Sequence, residues 1–201
     1  MGFNWAIFGS AISGAVLGGL ITGFFALRST DKAYENQQAH AQENEVKLIR
    51  GLLQAIHDEI ETVMDRYQET MGSRLETLEE GGALMYYYPL VSDFFTVYNG
   101  NSFLIGRIPD NDLRKQIIKT YTLAKGMIDS FRLNNDLVQK HEHWSFIFQE
   151  TQSEVHQQRV TACYGSLVEY AKSLKLGHQQ LKSETTQLLR TLRKQGVLTE
   201  I

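Results

Sequence analysis

Histidine and carboxylate side chains are the first candidates for chemistry in this sequence. The only histidine cluster is HEHW at residues 141–144. Two histidines one residue apart can share a metal ion in an extended segment, but on a helix their side chains point about 200° apart. His57 and Glu61 have the i, i+4 spacing that suits two ligands on one helix face, yet a solvated polar face explains that spacing as well. A zinc site needs further ligands, so the sequence predicts no metal site and no cofactor.

Other residue patterns give no stronger indication of catalysis. Asp58, Glu59 and Glu61 could chelate a cation, but a charged helix surface accounts for them. Cys163 lies in an apolar helical stripe, where a small buried hydrophobic residue is the usual role. The sequence contains no P-loop, no G-x-S-x-G, no H-E-x-x-H and no G-x-G-x-x-G after a strand. We therefore expect a protein that is not an enzyme, and we assign no catalytic residue.

A long apolar segment lies near the start of the chain. The sequence WAIFGSAISGAVLGGLITGFFAL, from Trp5 to Leu27, contains no charged residue. At about 1.5 Å per residue it forms roughly 34 Å of helix, which is enough to cross a bilayer. The preceding MGFN lacks the basic residues of a cleaved secretory signal, and Ala6 breaks the myristoylation pattern. We predict a retained transmembrane helix within an N-terminal anchor of residues 1–28.

Basic residues near this segment predict its orientation. None precedes Trp5, whereas Arg28 and Lys32 follow Leu27. Lysine and arginine are enriched on the cytoplasmic side of membrane helices. We therefore expect a single-pass protein with its N-terminus outside and its C-terminal domain in the cytoplasm. The single Cys163 agrees with a reducing compartment.

Small residues in the same segment recur at helical spacing. They are Ser10, Gly14, Gly18, Gly19 and Gly23. Small side chains four residues apart let two helix backbones approach closely in lipid. This pattern predicts transmembrane packing, by self-association or with another membrane protein. The alternative, that glycine is simply common in membrane helices, stays open.

The rest of the chain has the pattern of long amphipathic helices. A polar stalk or linker is expected at residues 29–47. Apolar residues then recur at spacings of three or four until Gly81 and Gly82 end the helix. This first stripe consists of Leu48, Leu52, Ile56, Ile60, Val63, Tyr67, Met71, Leu75 and Leu78.

Two further helices follow Pro109. The first has Asp110 as its N-cap and continues to about His141. The last runs from about Glu154 to Lys194, with Gly177 as a weak point or kink. Three such helices bury their apolar stripes most simply by packing antiparallel. We therefore predict an all-α fold, in which the N-terminal transmembrane helix is followed by an antiparallel helical bundle, partly coiled-coil-like, at residues 48–201.

An aromatic segment between the two prolines, Pro89 and Pro109, interrupts this helical pattern. Asn99-Gly100 with aromatic and β-branched flanks is a β-hairpin signal. An isolated hairpin is only marginally stable, however, so we favour an irregular corner with short helical turns. Its aromatic residues could dock a partner, or they could be buried in the core. The candidate docking residues are Tyr86, Tyr87, Phe94, Phe95, Tyr98, Asn99 and Phe103.

A weak resemblance covers part of this region. The sequence YNGNSFLIGRIPDNDLRKQIIKTYTLAKGMID, from Tyr98 to Asp129, resembles a pattern in poorly characterised bacterial single-pass inner-membrane proteins with a helical cytoplasmic domain. In those proteins a membrane helix and an amphipathic helix precede a Tyr-Asn turn. The resemblance implies a bacterial inner membrane, makes Asn99 and Gly106 turn residues, and implies no activity.

Charge is distributed unevenly along the chain. Residues 28–80 hold 6 basic and 12 acidic side chains, whereas residues 81–201 hold 14 basic and 11 acidic ones. The basic last helix is therefore expected to lie against the acidic first helix. Contact with anionic lipid or another acidic surface is the alternative, and nucleic acid is not expected. The residues concerned are Lys182, Arg190, Arg193 and Lys194.

These features favour a membrane-anchored, non-enzymatic scaffold or protein-interaction module with a cytoplasmic helical domain. The expected partners are the lipid bilayer and a second copy or another membrane protein. Two alternatives stay open. One is a sensory module with a ligand pocket. The other is a membrane-acting effector, of a defence or toxicity type, that oligomerises through its glycine-rich span.

Overall fold

The computed structural model describes the backbone of residues 5–89 and 94–196, and the side chains of Arg28, Lys32 and residues 34–89 and 94–196. These residues form six α-helices, one π-helical segment and no β-strand. The elements are α1 (Trp5–Tyr67), the π-helical segment (Gln68–Gly72), α2 (Ser73–Thr77), α3 (Thr96–Gly100), α4 (Ser102–Ile105), α5 (Asn111–Thr151) and α6 (Glu154–Lys194). The prediction of an all-α fold is confirmed.

Contacts divide the chain into two compact units, residues 1–48 and 49–201. The first unit contains the N-terminal part of α1, whose described side chains are all exposed. Glu43 and Lys47 form an ion pair of 2.8 Å one helical turn apart. Leu48 is half exposed, so the buried stripe begins at Ile49 and not at Leu48 as the sequence predicted.

Helices α5 and α6 form an antiparallel pair in the second unit. Asp110 is the N-cap of α5, as predicted, since its Oδ1 accepts from the backbone N–H groups of Asp112 at 2.9 Å and Leu113 at 3.0 Å. Helix α5 then continues past the predicted end at His141 to Thr151. Gln152 adopts a left-handed conformation and turns the chain into α6.

Helix α6 has the predicted bounds, Glu154–Lys194. Gly177 does not interrupt it. A Cβ atom at Gly177 would lie 3.3 Å from the Met127 sulfur, so this glycine lets α5 and α6 approach closely. The residue predicted as a weak point or kink thus lies within a continuous helix and serves helix packing.

The C-terminal part of α1 completes the bundle and determines its topology. Glu61 pairs with Arg193 of α6, whereas Tyr67 bonds to His178 of α6, so α1 and α6 run antiparallel. Glu59 bonds to Tyr121 of α5, and Tyr67 lies near Phe131, so α1 and α5 run parallel. Because three mutually packed helices cannot all be antiparallel, one pair must be parallel, and here it is α1 with α5 because the chain returns before α5 begins.

This return segment, residues 78–89 and 94–110, is held to α5 by two asparagines. Asn135 donates to the Tyr88 carbonyl at 2.7 Å and accepts from the Tyr88 N–H at 2.9 Å. Asn134 donates to the carbonyls of Leu84 and Tyr86. An amide side chain can satisfy extended backbone in this way because it has both a donor and an acceptor.

The second part of the return segment forms the short helices α3 and α4. Glu59 accepts from the N–H groups of Val97 at 2.7 Å and Tyr98 at 3.2 Å, at the start of α3. Residues 78–89 and 94–110 contain no β-strand. The predicted irregular corner with short helical turns is therefore confirmed, and the β-hairpin is not formed. Gly106 lies in a turn as predicted, but Asn99 lies inside α3.

Candidate functional site

The π-helical segment places a buried polar cluster between α1, α2 and α6. Gly72 lies where a Cβ would be 3.2 Å from the His178 ring, so the absence of a side chain there lets His178 enter the interface. A π-helical segment shifts the helix register and is frequent at functional sites. His178 is 3% exposed and is the centre of this cluster.

Hydrogen bonds indicate the tautomer of the neutral His178 ring. The Nε2 atom lies 3.1 Å from a Glu76 carboxylate oxygen and therefore donates to it. In the neutral ring, the Nδ1 atom then accepts from the Tyr67 hydroxyl at 2.9 Å. Tyr67, His178 and Glu76 thus form one connected chain of hydrogen bonds.

Glu76 forms the solvent-facing end of this chain. The pKa of its carboxyl is lowered from the usual 4.5 to about 2 by bonds first from Lys182, then from His178 and Gln68. The Lys182 ammonium lies 2.6 Å from the Glu76 oxygen. Glu76 is therefore ionised at neutral pH and holds an acceptor in place for His178.

Tyr67 forms the inner end. Burial, with a smaller contribution from Glu76, raises the pKa of its hydroxyl well above its usual value. A raised pKa disfavours the phenolate, so the hydroxyl acts as a hydrogen-bond donor rather than a nucleophile. The arrangement resembles a catalytic relay only in its connectivity, because His178 is covered by protein.

An apolar cavity of about 50 Å³ adjoins the Tyr67 ring. It is half open, and α1, α5, α6 and the return segment all contribute to its walls. The exposed Arg66 is also one of its lining residues. Representative wall residues are Met64, Phe95, Ala124, Met127, Phe131 and Leu181.

A second polar cluster lies at the other end of the α1–α6 interface. Arg193 donates to the Nε2 atom of buried His57 at 3.2 Å and to Glu61 at 2.6 Å. Since Nε2 accepts, the ring proton of neutral His57 lies on Nδ1, 3.1 Å from the Asp58 carboxylate. This cluster pairs the acidic helix α1 with the basic helix α6.

The distal part of α5 and α6 presents a different kind of surface. We call residues 137–151 of α5 and 154–168 of α6 the distal hairpin. Within the described residues, hydrogen bonds from the return segment to these two helices involve Lys175 and Asn135, which lie just outside the distal hairpin. Phe146 is 60% exposed, Val155 59% and Tyr164 44%.

Trp144 links the two helices of the distal hairpin. Its ring lies 5.8 Å from the His156 ring, and the Arg159 guanidinium lies 4.5 Å above it. Cation–π contacts favour this geometry. The half-buried Trp144 is thus a fixed side chain beside exposed apolar neighbours.

The predicted docking residues separate into three groups. Phe95 is buried, while Tyr86, Phe94 and Tyr98 are partly buried. Tyr98 stacks on Tyr121 at 4.0 Å. Asn99 is exposed and accepts from Lys125 at 2.8 Å. The remaining two, Tyr87 at 50% and Phe103 at 73%, expose large apolar side chains.

The predicted basic contact residues are also divided. Lys182 pairs with Glu76, and Arg193 pairs with Glu61 at 2.6 Å. Both basic residues therefore pair with acidic residues of the same bundle. This agrees with the expectation that the basic last helix lies against the acidic first helix. Arg190 and Lys194 are exposed on α6.

Two further sequence candidates can be located. His141 and His143 lie on α5 in the distal hairpin, and within the described side chains no group of His, Cys, Asp or Glu is arranged to hold a metal ion. Cys163, which was expected to be a small buried hydrophobic residue, is only partly buried.

The predicted membrane segment lies outside the described side chains. Ser10, Gly14, Gly18, Gly19 and Gly23 belong to this part, whose backbone is helical in α1. Among the residues whose side chains the structure describes, no helix is both apolar enough and long enough to cross a bilayer. The transmembrane helix and its packing face stay predictions.

Sequence reasoning missed His178, Asn134 and Asn135. His178 occupies a position in the apolar stripe of α6 between Leu174 and Leu181, and the spacing of four and three was the available signal. Each of the two asparagines interrupts the pattern of α5 without indicating a partner. Their partners are backbone groups far along the chain, which spacing cannot reveal.

Comparison with known proteins gives no relative. No family model matches this chain, and no curated protein or solved structure matches it either.

Proposed function

We propose that this chain is a non-enzymatic, membrane-anchored interaction module of the bacterial inner membrane. In this proposal, the cytoplasmic helical bundle docks an amphipathic helix of another chain on the distal hairpin. The other chain is a second copy or a different membrane-associated protein. The exposed apolar side chains of the distal hairpin are the observation on which the proposal rests.

The distal hairpin carries more apolar surface than two helices need. A two-stranded pair buries a narrow seam, whereas a wider apolar face is typical of helices in larger bundles. Val138 and Leu167 fill the seam and are buried. Phe146, Val155 and Tyr164 lie outside the seam, so a further helix would cover them at a gain in buried apolar area.

A protein helix suits this surface better than a lipid bilayer does. The connection between α5 and α6 reads QETQSE at residues 149–154 and includes Glu150 and Glu154. Inserting this tip into lipid would bury two carboxylates, which is unfavourable. A helix lying alongside the hairpin leaves the polar tip in water.

The residues predicted earlier for docking support a narrower role. Phe95 and Tyr98 pack against Tyr121, so they stabilise the bundle. Tyr87 and Phe103 stay exposed on the return segment. They form a smaller secondary surface in this proposal.

Membrane anchoring is supported by the sequence from Trp5 to Leu27. This segment has no charge and ends before Arg28, and its backbone is helical. A helix of this length and composition matches the thickness of a bilayer. The small residues along it favour pairing with another membrane helix.

Photo-crosslinking in native membranes tests the docking surface. A photoreactive residue is placed singly at Phe146 or Tyr164 of the full-length chain. Ile118, on α5 outside the distal hairpin, is the matched control because it is 43% exposed against 44% for Tyr164. We expect protein adducts from Phe146 and Tyr164 and none from Ile118.

The masses of the adducts distinguish a second copy from a different protein. A further substitution, Val155→Asp, should abolish the adduct formed from Tyr164 while circular dichroism stays unchanged, since a charge would then lie within the contact. Equal adducts at all three positions, or adducts with lipid alone, would contradict the proposal.

A further inference from the structure

The half-open cavity beside Tyr67 has the composition of a ligand site. It measures about 50 Å³, and one water needs about 10–15 Å³ in such a space. The cavity is therefore large enough for several waters or for a small apolar group. Every long helix of the bundle contributes to it, so an occupant would touch α1, α5 and α6 together.

The walls favour an apolar occupant over water. Phe95, Ala124 and Phe131 line the cavity with carbon. The Tyr67 hydroxyl is already bonded to His178. A buried water needs two to four polar partners, and these walls offer few. Met64 and Met127 add two flexible side chains that adapt to the shape of a ligand.

Arg66 is the one charged residue among the described residues that line the cavity. Arg66 is exposed, and its ion pair with Glu69 is 3.8 Å long, with both side chains more than 70% exposed. Ion pairs of this kind contribute little to stability. The guanidinium can therefore exchange Glu69 for an anionic group of a ligand.

We propose that this cavity binds the hydrocarbon end of a small anionic amphiphile, such as a short-chain fatty acid, with its carboxylate at Arg66. The site is separate from the distal hairpin and does not depend on docking there. Occupation would fill the space between the three long helices and stabilise their packing.

Methionine methyl resonances test the proposal directly. The full-length chain is held in lipid nanodiscs with ¹³C-labelled methionine methyl groups and titrated with hexanoate. Met64 and Met127 line the cavity, whereas Met71 and Met85 do not line it and are internal controls. We expect saturable shifts at Met64 and Met127 and none at the two controls.

The charge requirement is tested with ligands of one chain length. Hexanoate should bind more tightly than hexan-1-ol, and hexylammonium should bind most weakly. Arg66→Gln should weaken hexanoate binding about fivefold, which corresponds to about 1 kcal/mol for one charge pair in water. The same variant should leave hexan-1-ol binding unchanged.

Filling the cavity provides a steric test. Ala124→Leu should abolish the shifts, while Ala162→Leu, an exposed position on α6, should preserve them. If Ala124→Leu fails to fold, the hexanoate titration of the unmodified chain still tests the proposal, because the absence of saturable shifts at Met64 and Met127 overturns it. Shifts that persist in a folded Ala124→Leu variant, or equal affinity for all three ligands, also overturn it.

Discussion

His178 shows how one residue can organise an interface between distant parts of the chain. Its ring joins Tyr67 of α1 to Glu76 of α2 from a position on α6. A buried polar group is costly unless both its donor and its acceptor are paired. The close approach at Gly72 and the register shift of the π-helical segment provide these partners.

Removing the Tyr67 hydroxyl should destabilise the bundle. Tyr67→Phe leaves the buried Nδ1 atom of His178 without its donor, which costs about 1–3 kcal/mol. The free energy of unfolding, from urea titration of the nanodisc-held chain, measures the loss. Tyr87→Phe, at a half-exposed tyrosine, should change it by less than about 0.5 kcal/mol. A loss no larger for Tyr67→Phe than for this control would contradict the assigned bond.

Glu76 should give the bundle a pH-dependent stability. Its folded pKa of about 2 lies below the usual 4.5, so its stabilising contribution is present above about pH 4.5 and is lost as pH falls toward 2. Glu76→Gln should therefore lower the urea midpoint at pH 7, and this difference from the unmodified chain should shrink by pH 3. Lys182→Met should weaken the dependence, since Lys182 contributes most to the lowered pKa. A pH-independent difference would contradict this assignment.

At the scale of elements, local signals predicted the start of α5 and the bounds of α6, whereas the ends of α2 and α5 and the directions of the helices did not follow from them. Asp110 caps the start of α5 as predicted, but the helix that was expected to end at Gly81 and Gly82 ends at Thr77, because Leu78 already has an extended conformation. The parallel direction of α1 and α5 depends on the return segment, which long-range bonds from Asn134, Asn135 and Glu59 hold in place. Such bonds leave no periodic trace in sequence, so the sequence did not indicate which pair of helices would be parallel.

The apolar stripes illustrate the same division. Leu167, Leu174, Leu181 and Leu188 are buried as their spacing predicts, because side chains three and four apart share a helix face. The docking interpretation of Phe95 and Tyr98 could not be separated from a core role in sequence, since an aromatic residue suits both. The contacts of both rings with Tyr121 decide for packing.

The N-cap of α5 should be measurable on its own. Asp110→Ala removes the acceptor for two backbone N–H groups and should cost about 1 kcal/mol. Asp112→Ala, in the first turn of the same helix, loses only a favourable charge near the positive end of the helix dipole, about 0.3–1 kcal/mol. Urea unfolding of the two variants compares these costs. A smaller loss at Asp110 than at Asp112 would contradict the cap.

Glu59 should control the local stability of α3. Its carboxylate accepts from Val97, Tyr98 and Tyr121. Glu59→Leu removes these bonds, so the amide protons of Val97 and Tyr98 should exchange faster with deuterium. Amide exchange within α6 should change much less. Unchanged exchange at both amides would show that packing alone holds α3.

At the scale of the whole molecule, the chain contains an apolar N-terminal segment, a three-helix packing unit and the distal hairpin of α5 and α6. The first is expected to hold the chain in the membrane, and the second builds the cavity and the polar clusters. The third exposes apolar side chains and is the proposed docking surface for another helix. Composition predicted the apolar segment, and periodicity predicted the three-helix unit. The distal hairpin was not predicted, because the sequence placed the end of α5 near His141 and the structure places it at Thr151.

Protease accessibility of the full-length chain in sealed vesicles of both orientations tests the central claim most directly. With the cytoplasmic face outward, protease should digest the bundle and leave a membrane-held fragment that contains Trp5–Leu27 and resists carbonate extraction. With the opposite face outward, residues 49–201 should stay intact. Digestion of the bundle in both orientations, or release of that fragment by carbonate, would contradict a membrane-anchored cytoplasmic module.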